Sequence, residues 1–270
     1  MKRTLPFLAL PAVATLAFGA ASTLPLAAVA GGEPTHVTDL QAALGAGSTL
    51  EVRDISGSIV VSQASGGTAT VHALATAHSG DPASVAIRMV RDGNRLIVCA
   101  VYRGGECNAN QNRSGGNGNE RDDVSVDFTI AIPHGVKLVA DTVEGDVVAR
   151  QLDAGVTARA VSGNITIATA DIADAHTVSG SIDATLGKIG RDDDVAFESV
   201  SGQIHLTLPA KADATISART VNGAIAGDRG VPLSVENGQW VGQSGTARLG
   251  AGSARISLRT VSGSIRVSQS

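Results

Sequence analysis

Two cysteines and a run of aspartates are the residues of this 270-residue chain whose types and spacing point most directly to chemistry. Cys99 and Cys107 are the only cysteines, and they flank a short segment of a chain that we expect to be exported. In an oxidising compartment such a pair predicts a disulfide that closes a small loop. A metal-binding pair is the alternative, but no further Cys or His stands at a suitable spacing.

Asp192, Asp193 and Asp194 form the densest acidic cluster. Three adjacent carboxylates on a loop offer the oxygen ligands that Ca²⁺ prefers. Such a run is also typical of a solvated loop between two strands. We interpret it as a solvated loop, keep the three aspartates as weak calcium candidates, and otherwise predict no metal site.

No catalytic set is visible in the sequence. Ser-Gly pairs recur along the chain, so they indicate corners of a repeat instead of one nucleophile, and no Gly-x-Ser-x-Gly elbow occurs. The six histidines are scattered without a zinc-type pair on one element, and we interpret them as exposed surface residues. We predict no catalytic residues, no cofactor and no enzymatic activity.

The Ser-Gly pairs belong to a repeat that organises most of the chain. Its phrase is Thr-Val-Ser-Gly-x-Ile, with copies about 20 residues apart, a spacing typical of stacked repeats. The glycines that mark the predicted corners are Gly57, Gly145, Gly163, Gly180, Gly202, Gly223 and Gly263. The last two are about twice as far apart, which we interpret as one degenerate copy between them.

Apolar residues alternate with polar ones before each glycine and resume after it, as expected of two half-buried strands joined at a corner. We expect the small residue and the valine just before each corner, such as Thr177 and Val178, both to face inward. The predicted fold is all-β, a parallel β-solenoid (β-helix) of coils of about 20 residues stacked in chain order. In that order Arg219 and Arg259 are two periods apart, so we do not expect them to be neighbours.

The segment before the regular repeats is predicted to be β-rich but irregular. Leu50–Gly57 fits the repeat, while Thr38–Leu44 suggests a short helical turn. Asp92-Gly93-Asn94 is typical of a hairpin turn. The other expected features are strands at Ala69–Thr76, Ser84–Val90, Arg95–Val101 and Asp123–Ile132, a mobile Asn/Gly loop at Asn108–Glu120, and a loop-packing Trp240.

The N-terminus has the pattern of a secretory leader. Lys2 and Arg3 precede an apolar run from Leu5 to Phe18, and Ala28-Val29-Ala30 is a small-x-small cleavage site. A transmembrane anchor is the alternative, but the run is short and interrupted by prolines. We therefore predict three parts: a signal peptide (1–30), a β-rich N-terminal region with the Asn/Gly loop (31–122), and the regular repeats (123–270).

The recurrent Thr-Val-Ser-Gly-x-Ile, the entry strand Asp123–Val136 and the closing stretch Gly252–Ile265 resemble the bacterial "putative adhesin" family of exported β-strand-repeat proteins, a domain of unknown function. The resemblance covers roughly Leu50 to Ser270 and implies a β-solenoid with an adhesive or envelope role. It brings no catalytic residues.

We therefore expect a non-enzymatic, adhesin-like or envelope-associated protein that contacts a surface, a glycan or an envelope ligand, located in the periplasm, on the cell surface or outside the cell. A carbohydrate-active β-helix enzyme acting on acidic polysaccharide and a periplasmic regulatory scaffold are the alternatives. A net charge of −4 gives no basic footprint for nucleic acid, and no transmembrane segment is expected in the mature chain.

Overall fold

The computed structural model describes residues 33–109, 112–113, 123–238 and 241–270, which fall in one compact unit that begins at Glu33. The predicted leader, Trp240 and most of the Asn/Gly loop lie outside the described residues. The described chain is all-β apart from one short 3₁₀ turn at Pro82–Ser84. It contains no helix that could span a bilayer.

The strands before the regular repeats are β1 Thr35–Ala43, β2 Thr49–Arg53, β3 Ile59–Gln63, β4 Thr68–Ser79, β5 Ala86–Asp92, β6 Arg95–Val101, β7 Glu106–Cys107, β8 Asn112–Arg113 and β9 Asp123–Ile132. The repeats then contribute β10 Lys137–Glu144, β11 Val147–Leu152, β12 Val156–Ser162, β13 Ile165–Thr169, β14 Ala173–Ser179, β15 Ile182–Leu186, β16 Asp194–Ser201, β17 Ile204–Leu208, β18 Ala214–Asn222 and β19 Ile225–Gly227. The last strands are β20 Ser234–Asn237, β21 Gln243–Leu249, β22 Ala254–Ser262 and β23 Ile265–Gln269.

Each repeat gives one strand to each of two large sheets. Sheet 1 has the order β1-β4-β9-β3-β11-β13-β15-β17-β23-β19. Sheet 2 has the order β20-β21-β18-β22-β16-β14-β12-β10-β2-β6-β5. Within the repeats the neighbours are parallel and in register, for example Ala158 opposite Ala175 and Ile165 opposite Ile182. The prediction of parallel, all-β repeats is therefore confirmed at the level of strands and sheets.

The order of the last repeat corrects the sequence prediction. β22 lies between β16 and β18, and β23 lies between β17 and β19, so the final repeat is inserted between two earlier ones. The long step between Gly223 and Gly263 is not a degenerate copy. It is a detour through the hairpin β20–β21, which pairs antiparallel with the outer edge of β18 before the chain returns on its inner side.

The N-terminal region extends both sheets at the other end. β2 and β3 pair with β10 and β11 as an early repeat, as predicted from Leu50–Gly57. Hairpin β5–β6 turns at Asp92-Gly93-Asn94 as predicted, and β9 covers the predicted span Asp123–Ile132. The helical turn expected at Thr38–Leu44 is wrong, because this segment belongs to β1, which pairs antiparallel with β4 over its whole length.

The core lies between the two sheets and is filled by small aliphatic side chains. The inward positions of β10 and β12 are occupied by Leu138, Ala140, Val156 and Ala158, all fully or almost fully buried. Phe128 and Phe197 are the largest side chains buried there. Short strands stacked in this way bury their apolar faces only against neighbours, so each repeat depends on the next for its stability.

Candidate functional site

The repeat glycines form a column at the corner between the two sheets. A Cβ built on Gly163 would collide with the carbonyl oxygen of Gly145, and one on Gly180 with that of Gly163, at separations far below 3.0 Å. The same relation joins Gly202 to Gly180, Gly263 to Gly202 and Gly223 to Gly263. Backbones that approach this closely leave no room for a side chain, and the column follows the order of the sheets instead of the order of the chain.

At four of the corners a buried hydroxyl of one repeat donates a hydrogen bond to the glycine carbonyl of the neighbouring repeat. Thr177 Oγ1 donates to Gly163 O at 3.1 Å, and Ser199 Oγ donates to Gly180 O at 3.0 Å. Thr260 and Thr220 repeat the bond to Gly202 O and Gly263 O. The hydroxyl of Thr142 has no partner among the described residues, although the side chain is equally buried.

Asp54 occupies the equivalent inward position of the earliest repeat and is 4% exposed. Its Oδ1 accepts a hydrogen bond from the Ile55 amide at 2.8 Å, while its Oδ2 has no partner among the described residues. The pKa of Asp54 is raised to about 8, mainly by burial and to a smaller extent by the nearby Asp127 charge, and the hydrogen bond from the Ile55 amide opposes this rise. The carboxyl is therefore mainly protonated at neutral pH.

The valine of each phrase faces solvent, which corrects the prediction that it faces inward. Val161, Val178, Val200, Val221 and Val261 are 46–50% exposed, whereas the residue before each of them is buried. The reason is that strand alternation continues through the valine, so the small residue takes the inward position and the valine the outward one, and the alternation ends at the exposed residue that follows. The alternation that reaches the valine was the sequence signal that could have revealed this.

These valines lie in one row on the outer face of sheet 2. The residues on either side of them pair in register from strand to strand, for example Thr177 with Ser199 and Ser179 with Ser201. The resulting order, Val143-Val161-Val178-Val200-Val261-Val221, follows the sheet. Neighbouring rungs of a sheet are about 4.8 Å apart, so the row is a continuous apolar strip.

An open groove of about 860 Å³ runs along this strip, and we call it the valine groove. Its floor contains the five valines from Val161 to Val221. Gly238, Val241 and Gly242, which belong to the hairpin β20–β21, line one end of it. Val241 is 73% exposed. The hairpin therefore extends the lining of the groove beyond Val221.

A row of charged side chains borders the groove two residues before the valines. Its order across sheet 2 is Asp141-Arg159-His176-Glu198-Arg259-Arg219. Arg159 pairs with Asp141 at 3.2 Å, and Glu198 lies 3.4 Å from His176 and 3.9 Å from Arg259. Burial raises the pKa of Asp141, and the bond from Arg159 opposes this.

Arg219 and Arg259 are direct neighbours in this row, so the prediction that they are two periods apart is wrong. The inserted last repeat brings them together. Arg219 makes no ion pair with any described residue, and Arg259 has only the long contact to Glu198. No spacing in the sequence could have shown this pair, because it depends on which repeat β22 joins.

The other predicted sites lie away from the groove. Cys99 and Cys107 are joined in a disulfide, which connects the end region of β6 to β7. Asp193 accepts a hydrogen bond from the Gly190 amide, and Asp194 pairs with Arg255 at 3.3 Å. No group of three or more potential ligands in the described part of the chain is arranged to hold a metal ion.

Most of the histidines are exposed and lie beside a carboxylate on a neighbouring strand or loop. His72, His78 and His134 each stand 2.7 Å from Asp39, Glu33 and Asp153 respectively. The hydrogen bond to Glu33 raises the pKa of His78. They are cross-strand and loop pairs on the surface, which exposed side chains form at little energetic gain.

The model of the Toastrack DUF4097 family matches residues 37–268, which include both sheets and the groove. The chain belongs to this family. This match confirms the resemblance that the Thr-Val-Ser-Gly-x-Ile repeat indicated, to an adhesin-like family of unknown function. No curated protein matches the chain.

Among the solved structures that are similar to this chain are three that each share 12% identity with it. One is a "putative cell adhesion protein" from Clostridium sporogenes, with a TM-score of 0.47, covering 87% of this chain and 100% of that one. One is a "putative adhesin" from Bacteroides fragilis, with a TM-score of 0.37 and coverage of 86% and 97%. One is a "putative adhesin" from Parabacteroides merdae, with a TM-score of 0.24 and coverage of 87% and 96%.

Proposed function

We propose that this protein is an exported, non-enzymatic β-solenoid that binds a ligand of the cell envelope or cell surface through the valine groove, in an adhesin-like role. The observation that carries the proposal is the row of half-exposed valines under an open groove. Contiguous apolar surface on a soluble protein is costly in water, and it marks binding sites much more often than single exposed apolar residues do.

The leader pattern at residues 1–30 supports export, and the disulfide between Cys99 and Cys107 fits an oxidising compartment. The proposed organisation keeps the three parts expected from the sequence, with the early repeat of β2 and β3 inside the 31–122 region joining the stack of the 123–270 repeats.

The groove gives no support to the alternative of a glycosidase-type enzyme. Asp141 and Glu198 are carboxylates of its bordering row, and they are three rungs apart, about 14 Å. Two-carboxylate glycosidases need their pair within about 10 Å. A binding function therefore fits the groove better than acid–base cleavage does.

Binding of the purified protein to a cell-envelope fraction tests the proposal. Val178→Asp places a charge in the middle of the groove floor and should reduce binding about tenfold or more, because apolar contact is replaced by a charge that must be desolvated. Val37→Asp is the matched control, since Val37 has the same exposure but lies on β1 of sheet 1.

Equal binding by the wild type and Val178→Asp, with both proteins folded, would contradict the proposal. Loss of binding in both variants would assign the binding to general surface character instead of the groove. Breakdown of an acidic polysaccharide by the wild-type protein would replace the proposal with the enzymatic alternative.

A further inference from the structure

The contacts within the fold do not explain why two arginines, Arg219 and Arg259, stand side by side. They stand directly opposite each other on β18 and β22 and face the same side of sheet 2. Like charges at opposed positions of neighbouring strands destabilise a sheet. The third arginine of the row, Arg159, has the opposite charge of Asp141 beside it. An anionic group bound between the two guanidinium groups would remove the repulsion and receive hydrogen bonds from both.

The floor of the groove indicates what is attached to that anion. The floor has one valine on each of five neighbouring strands, so it has no distinct pockets that could discriminate the side chains of a peptide. The strands below are paired on both sides, so no free backbone is offered for adding a peptide strand. A glycan would bring hydroxyls onto methyl groups that cannot satisfy them. A uniform hydrocarbon chain has none of these mismatches.

The two features are arranged end to end. The row from Val161 to Val221 covers five strands, which are four steps of about 4.8 Å or about 19 Å in all, and the arginine pair stands beside the end formed by Val261 and Val221. At the other end Arg159 is neutralised by Asp141. The groove is therefore apolar along its length and positively charged at one end, which is the complement of an amphiphile.

We propose, as a deepening of the proposed binding function and resting on it, that the valine groove binds a single-chain anionic amphiphile of the fatty-acid type. The hydrocarbon chain lies along the valines from Val221 towards Val161, and the anionic head group bridges Arg219 and Arg259. The hairpin residues Gly238 and Val241 line the groove near the head-group end.

Titration calorimetry with sodium laurate below its critical micelle concentration tests this inference on the folded protein. We expect one laurate to bind per protein molecule. Dodecyltrimethylammonium has a hydrocarbon chain of the same length but a cationic head group, and it should bind about tenfold more weakly or worse. Acetate, which has the anionic group without the hydrocarbon chain, should not bind. The double variant Arg219→Gln with Arg259→Gln should bind laurate about tenfold less tightly or worse, and Val200→Asp should bind none. Arg255→Gln is the control, because Arg255 pairs with Asp194 outside the groove and should leave laurate affinity unchanged.

Equal affinity for the anionic and cationic amphiphiles, or unchanged laurate binding by the double arginine variant, would overturn the inference. Binding to phosphatidylglycerol vesicles without binding of monomeric laurate would assign the groove to a bilayer surface, and it would overturn the inference as well. If laurate does not bind but Val178→Asp still loses envelope binding, the proposed function stands and the amphiphile fails. If Val178→Asp has no effect on envelope binding either, both fail.

Discussion

At the scale of single residues, the buried residue three positions before each corner glycine differs in its hydrogen bonding from repeat to repeat. In four repeats a hydroxyl there donates to the glycine carbonyl of the neighbouring repeat, and in one, at Thr142, the hydroxyl has no partner in the part of the chain that the structure describes. A buried polar group contributes to stability only when it is bonded, so identical residues should differ in their energetic effect. The sequence predicted small inward residues here but could not distinguish bonded from unbonded hydroxyls.

Thr177→Val and Thr142→Val form a matched pair that tests this difference. Valine keeps the shape of threonine and removes only the hydroxyl. Thr177→Val should lower the free energy of unfolding by about 1 kcal/mol, because the bond to Gly163 O is lost. Thr142→Val should leave it unchanged or raise it, because an unsatisfied buried hydroxyl is replaced by a methyl. Equal losses in urea denaturation would contradict the assigned bonds.

Asp54 occupies the same position and gives the fold a pH dependence. Its pKa is about 8 in the folded protein and 3.8 for an aspartate free in water, so between these pH values the folded state holds more protons than the unfolded state. Stability must then fall as pH rises through this window, by up to about 1.4 kcal/mol per pH unit from this group. Asp54→Asn removes the titration and should flatten the decline in unfolding free energy between pH 5 and pH 8. A decline as steep as that of the wild type would show that Asp54 does not cause it.

At the scale of elements, two strands and a corner form the unit that the sequence specified best. Alternation located β9 and β10 and their inward residues, and the recurrent glycine located each corner. The valines were assigned to the wrong side because the corner was expected to interrupt alternation before the glycine. In the structure the strand continues through Val178 and Ser179, and the turn begins only at Gly180.

The glycine column predicts that a single methyl at a corner is severely destabilising. Gly180→Ala would place a Cβ against the backbone of Gly163, which cannot move without displacing the neighbouring strand. We expect a loss of about 3 kcal/mol or more in the free energy of unfolding, measured by chemical denaturation. Gly66→Ala is the control, because Gly66 is exposed, has no atom within 4 Å of an added Cβ, and should change stability little. A mild effect at Gly180 would contradict the close stacking of the corners.

At the scale of the whole molecule, the order of the repeats sets the candidate site. Each copy of the repeat has the same alternating pattern and the same corner, so any copy fits beside any other, and local sequence cannot fix the order. The hairpin β20–β21 fixes it by occupying the outer edge of β18, which leaves the inner side for β22. This single rearrangement brings Arg259 beside Arg219 and adds hairpin residues to the lining of the groove.

Disulfide trapping of the repeat order tests this account most directly. Ser201 and Ser262 are exposed partners on neighbouring strands, whereas Ser201 and Asn222 are two rungs apart, about 9.6 Å. A disulfide requires Cα atoms within about 7 Å. The variant Ser201→Cys with Ser262→Cys should therefore form a second disulfide on oxidation, seen by peptide mapping, while Ser201→Cys with Asn222→Cys should keep two free thiols. A disulfide between the cysteines introduced at positions 201 and 222, with free thiols in the variant changed at positions 201 and 262, would contradict the account. It would mean that the repeats stack in chain order and that Arg219 and Arg259 are not neighbours.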